Sequence, residues 1–113
     1  MKLVDANISL DELRGMAERS FGDLVKAVVD VRKGVMAVDA GMHSDEEAFL
    51  LEGGSAQADL WGINLYPDYP VADWIEFDSM INIRPSQGNR SRGVDEPQIQ
   101  ALIAAVVNGL VER

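Results

Sequence analysis

The sequence predicts an α+β fold, a two-layer sandwich in which N- and C-terminal helices pack on one face of a four-stranded, mainly antiparallel sheet. Three observations carry that expectation. A capped amphipathic segment begins at Ser9, and a longer apolar stripe follows Pro97. Between them, β-branched runs are broken by Lys33-Gly34 and by the loop Pro67-Asp-Tyr-Pro70. At 113 residues, 47% of them hydrophobic, the chain has the size of a single domain spanning 1–113 around one core.

The first helix is expected from Ser9-Leu-Asp-Glu12, where the hydroxyl takes a free backbone N–H and the glutamate is placed to reach back. Leu10, Leu13, Met16 and Ala17 share its apolar face, and Gly22 offers a stop. Leu24 to Arg32 and Val35 to Asp39 read as a β-hairpin across Lys33-Gly34. Alternation turns Val25, Ala27, Val29 and Val31 inward and leaves Lys26, Asp30 and Arg32 on the outer face. Ser44-Asp-Glu-Glu47 repeats the capping pattern, so a helix of two to three turns capped by Ser44 is expected before Gly53-Gly54.

Leu60 to Tyr66 reads as the third strand, with Trp61, Ile63 and Leu65 on the core side and Gly62 and Asn64 opposite. Ala72 to Arg84 reads as the fourth. Its alternation separates Ile75, Phe77, Ile81 and Ile83 from a polar row of Glu76, Asp78, Asn82 and Arg84, and sets Trp74 on the polar side as an exposed aromatic. The closing helix has Asp95 or Glu96 as cap, Pro97 in its first turn, and a stripe of Ile99, Leu102, Ile103, Val106, Val107 and Leu110.

Charge narrows the function classes. A formal net charge of -9 and a pI of about 4.4 repel polyanions, which disfavours nucleic acid as a partner. With no cysteine there is no disulfide, thiolate metal site or cysteine nucleophile, a composition that suits a reducing compartment. No apolar run approaches the roughly 20 residues of a bilayer span, and Asp5 interrupts any signal-peptide core, so the expectation is a cytoplasmic protein with no membrane partner.

Leu60-Trp-Gly-Ile-Asn-Leu-Tyr-Pro67 and Ile75-Glu-Phe-Asp-Ser-Met-Ile-Asn-Ile-Arg-Pro-Ser-Gln-Gly-Asn-Arg-Ser-Arg-Gly-Val94 are long, specific motifs. Through them, and through Phe21 to Val29 and His43 with the acidic residues after it, nearly the whole chain resembles a small bacterial family known only as a domain of unknown function. The resemblance implies a stand-alone domain and assigns no activity, ligand or site residue.

The stretch from Asp78 to Val94 is where chemistry is expected. It gathers Arg84, Arg90 and Arg92 with Ser86, Gln87, Asn89 and Ser91, and from Ile83 to Val94 it holds no acidic residue. Gly88 and Gly93 would let backbone N–H groups approach a ligand, guanidinium forks suit phosphate or carboxylate, and the loop runs into a helix N-terminus. Arg84, Ser86, Gln87, Asn89, Arg90 and Arg92, with Asn82, Asp78 and Asn64 on the adjoining sheet face, are the expected ligand-binding residues. The loop matches neither the P-loop nor the dinucleotide fingerprint, and no cofactor is expected.

A non-catalytic binding module for an anionic small molecule or an acidic protein surface accounts best for these residues. That surface includes Asp45-Glu-Glu47 of a second copy, which would give a homo-oligomer. The alternative is a small hydrolase or transferase acting on a phosphorylated or carboxylated substrate, with Asp78 as general base. His43 and Glu47 stand at i, i+4, but a helix capped by Ser44 leaves His43 outside it, and no metal site is expected.

Overall fold

The computed structural model describes residues 1–113. Ten elements follow one another: β1 (Lys2–Val4), β2 (Ile8–Ser9), α1 (Leu10–Arg19), β3 (Val25–Asp30), β4 (Val35–Val38), α2 (His43–Glu52), β5 (Leu60–Leu65), β6 (Ile75–Glu76), α3 (Pro97–Leu110) and β7 (Val111–Glu112). The main sheet has five strands in the order β1-β4-β3-β5-β6, every neighbouring pair antiparallel. A separate parallel pair, β2 with β7, ties the two ends of the chain together through Ile8 and Val111.

The fold class is α+β as expected, but the strand count is five and the layers are three. α1 and α3 cover one face, where Leu13, Met16, Ala17, Ile103, Val107 and Leu110 pack on Val25, Ala27, Val29, Trp61, Ile63 and Leu65. The other face is not open. α2 lies on it, and Val28, Ala37, Leu50 and Leu60 form a second, smaller apolar cluster. Asp30, expected on an outer face, is therefore only 1% exposed. Its carboxylate takes Arg32 N and Lys33 N at 2.9 Å each and the Ser55 hydroxyl at 2.6 Å, which closes the hairpin through Gly34 at φ 69°.

Local chemistry explains most boundaries. Ser9 caps α1 by accepting from Glu12 N at 3.1 Å, while the Glu12 carboxylate turns to Lys2 Nζ at 2.7 Å instead of reaching back. α2 begins one residue before its expected cap, at His43, with Met42 as a cap residue that offers no side-chain bond. α3 starts at Pro97 and buries most of the expected stripe, but Leu102 is 51% exposed. Trp61 is core as expected, whereas Trp74 corrects its assignment: it is fully buried and donates Nε1 to Asn108 Oδ1 at 3.2 Å.

The largest departure follows Glu76. The expected strand to Arg84 pairs with β5 only at Glu76↔Asn64 and Ile75↔Leu65, then leaves the sheet through a single 3-10 turn at Met80–Asn82. Asn82 takes over the ladder. Its side-chain amide accepts from Gly62 N and donates to Gly62 O, both at 2.9 Å, as a strand partner's peptide group would. Gly62 is required because the turn sits on it: a Cβ there would lie 2.6 Å from both Cβ and Oγ of Ser79. Gly62→Ala is expected to lower stability by about 1–3 kcal/mol in urea denaturation. Adding Ser79→Gly should recover most of that loss; strictly additive effects would show that the two residues do not collide.

Candidate functional site

The polar row expected along one strand is broken into separate tasks. Arg84 is half-buried and turned inward: its Nη groups donate to Gln57 O at 2.5 Å and Leu60 O at 2.6 Å, and its guanidinium lies 4.1 Å over the Trp61 ring. Gln87 donates to Ala58 O at 2.9 Å. Asn89, 4% exposed, gives its amide to Asn82 O, Ser91 O and Gly93 O and accepts from Asp95 N. These residues hold the loop's own backbone. Ser86 and Arg90 are exposed, and the Arg90 guanidinium makes no hydrogen bond.

The three guanidinium groups therefore do not meet. The concavity beside the loop, about 420 Å³ between Trp61, Gln87 to Asn89 and the start of α3, is edged by Asp95 and Glu96 and is electrostatically unfavourable for an anion. Asp95 already caps the loop, accepting from Arg90 N and the Ser91 hydroxyl, bonds that hold its carboxyl below the usual carboxylate range. A second concavity of about 390 Å³ runs between β1 and α2 and is largely apolar, with Leu3, Val35, Phe49 and Leu50.

Positive charge converges elsewhere, where α2 begins over β3 and the turn after β6. Lys26, His43, Ser44, Ser79 and Arg92 supply the polar lining of a concavity of about 190 Å³, with Met42, Met80 and Ile81 as its apolar edge. Lys26 comes from the face of β3 that α2 leaves partly bare; its ammonium forms no ion pair and sits 5.2 Å from the Phe21 ring. Arg92 donates Nε to Asp78 Oδ1 at 2.6 Å and keeps both Nη groups without a hydrogen bond. The start of α2 faces the same space with no side-chain cap; Asp45 N bonds to Met42 O at 3.2 Å, and the N–H groups of His43 and Ser44 remain open.

Two buried titratable residues on α2 complete the surroundings. His43, 8% exposed, directs Nε2 to Ile63 O at 2.7 Å. Desolvation lowers its pKa from the ordinary value, and the nearby cations Lys26 and Arg92 push the same way. Glu46 is fully buried, accepts Ala40 N at 3.1 Å through Oε2, and leaves Oε1 without a partner. Burial pushes it up to about 9, so it is neutral at pH 7 and adds no negative charge beside the concavity. It also removes Asp45-Glu-Glu47 as a continuous acidic surface, since only Asp45 is fully on the outside.

Of the residues expected to bind ligand, Arg92 alone lines this concavity, and Asp78 orients it. Asn64 lies in the register row Lys26↔Asn64↔Glu76 and gives its amide to Glu76 Oε1 at 2.8 Å. Lys26 and His43 were not among the expected ligand-binding residues. Lys26 read as an outer-face charge, and His43 read as lying outside its helix. No cluster of three or more His, Asp or Glu could hold a metal ion, and no helix is long and apolar enough to cross a membrane. A family model described as "Protein of unknown function (DUF5674)" matches residues 2–110. No curated protein and no solved structure matches the chain.

Proposed function

We propose, for a chain that belongs to this family and takes no activity from it, that the protein is a binding module for a small anion bearing phosphate or carboxylate, held where Arg92 and Lys26 face the start of α2. One observation supports this reading above the others. In a molecule of net charge -9, two cationic side chains with unused donors and an uncapped helix N-terminus share one concavity. At about 190 Å³ the space is smaller than the roughly 300 Å³ at which drug-sized pockets begin, which favours a small anionic group over a large organic ligand.

The arginine-rich loop serves the site indirectly. Asn82 donates to Arg92 O at 3.0 Å and Ser79 N to the same oxygen at 2.9 Å, so the loop fixes the backbone from which the Arg92 side chain projects. Inorganic phosphate titrated at constant ionic strength should raise the melting temperature. At a hundredfold excess over Kd the gain is about 2.7 kcal/mol, several degrees for a chain of this size. Arg92→Gln and Lys26→Gln should each weaken phosphate about tenfold while leaving the unliganded melting temperature within a degree or two. Phosphate that shifts nothing relative to matched chloride would rule the reading out.

A further inference from the structure

The ring of His43 points to a selection rule at that site. A carbonyl oxygen only accepts, so the 2.7 Å contact with Ile63 O commits Nε2 as the donor and places the proton of the neutral ring there. Nδ1 is then a lone pair. It has no hydrogen-bond partner in the protein, and the ring, more than nine-tenths buried, lines the concavity that Lys26 and Arg92 also face. Three charged groups bear on the state of the ring. Lys26 from β3 and Arg92 from the loop disfavour a second proton, Asp78 favours one but is spent on Arg92, and Glu46, one turn along α2, is neutral.

We infer that His43 Nδ1 accepts a hydrogen bond from the bound anion, so that the site selects anions that carry a proton and takes phosphate or a phosphomonoester over sulfate. The inference rests on the anion-binding reading and deepens it. Two cations and a helix N-terminus attract any oxyanion, but the unpaired Nδ1 lone pair in the same concavity accepts from an anion that carries an O–H and opposes a bare anionic oxygen. A phosphomonoester loses its second proton at a pH of about 6 and so retains a protonated population near neutrality, whereas sulfate is a bare dianion there. Placing sulfate oxygen against Nδ1 opposes two acceptors in a partly desolvated space, the arrangement by which sites built for an O–H reject analogues that lack one.

The chain has a single histidine, so its imidazole nitrogens can be followed by ¹⁵N NMR without assignment ambiguity. The unliganded protein at pH 7 should show the Nε2–H tautomer. Inorganic phosphate should bind at least about tenfold tighter than inorganic sulfate throughout the neutral range, because its monoanion and its dianion both carry an O–H, and should shift the Nδ1 resonance in the direction of an accepted hydrogen bond, whereas the preference for a phosphomonoester should decline as pH rises past about 6 and its last proton is lost. His43→Gln, checked for folding by circular dichroism, should bring the phosphate-to-sulfate ratio towards one; if it does not fold, the wild-type titrations alone decide. Equal affinity for both anions, or phosphate binding that leaves Nδ1 unmoved, overturns the selection rule and leaves the anion site standing. If neither anion binds, the anion site itself is wrong and this inference falls with it.

Discussion

Glu46→Gln should make the protein more stable at pH 8 than the parent chain, by roughly 2–4 kcal/mol, while the two differ little near pH 5. The cause is a carboxyl group that the fold keeps protonated. Glu46 is 0% exposed, receives one backbone N–H from Ala40, and has no partner for Oε1, so its folded pKa stands at about 9 against an ordinary 4.5. Desolvation is the main cause, opposed by the Ala40 bond and by Lys26. Because the folded state binds the proton more tightly, this residue's contribution is complete below pH 4.5, falls as pH rises, and is lost by about pH 9. The slope is at most about 1.4 kcal/mol per pH unit across that window.

His43 acts in the opposite sense. Its lowered folded pKa means that stability is lost as pH falls below its usual 6.5, so the parent chain should pass through a maximum instead of a steady slope. Glutamine keeps the acceptor for Ala40 N and cannot ionise, which isolates the Glu46 limb. Urea midpoints measured from pH 5 to pH 9 decide the matter: parallel curves for parent and variant would show that Glu46 ionises freely within the fold.

These two residues also show why the layer formed by α2 was hard to read. Its buried positions are His43, Glu46 and Leu50, so two of the three side chains that face the sheet are ionisable and the segment carries no apolar stripe. Alternation in β3 and β5 correctly assigned Val25, Ala27, Val29, Trp61, Ile63 and Leu65 to one face, because period two is a property of the backbone. It could not say whether anything covers the reverse face. α1 and α3 were legible from capping residues and spacing. β1, β2, β6 and β7 were not legible in full, since runs of two or three residues are too short for alternation to register and are placed by their partners.

The arginine loop was conspicuous for a sound reason, but the forces inside it were misassigned. Side chains rich in donors satisfy either a ligand or the loop's own backbone, and composition does not distinguish the two. Gln87, Asn89 and both Nη groups of Arg84 donate to backbone carbonyls of residues 57, 58, 60, 82, 91 and 93, and only the buried Arg84 Nε lacks a partner. Arg92 differs because its partner is a single carboxylate that occupies one nitrogen of three. Lys26 and His43 join it only through tertiary structure, across gaps of 66 and 49 residues that no local pattern spans.

Asn82→Ala should be among the most damaging single changes outside the apolar core, costing about 3–5 kcal/mol. Stability of a domain this size is about 5–15 kcal/mol, so the loss is about a fifth of the total or more. Asn82 is fully buried, and its amide satisfies Gly62 N–H and Gly62 C=O at the point where β5 has lost its strand neighbour. Removing it leaves both groups, and one bond to Arg92 O, without a partner in a space that the Ser79 turn closes to water. Asn82→Asp offers a sharper test. An aspartate retains the acceptor for Gly62 N–H but sets a carboxylate against the carbonyls of Gly62 and Arg92, which raises its folded pKa. Its stability should accordingly be highest at low pH and fall as pH rises through the carboxylate range, the reverse of an ion-paired aspartate. Phosphate affinity should fall in both variants, because the Arg92 backbone is held by the same amide. An Asn82→Ala chain that loses less than about 1 kcal/mol would mean that the amide is not the partner that completes β5.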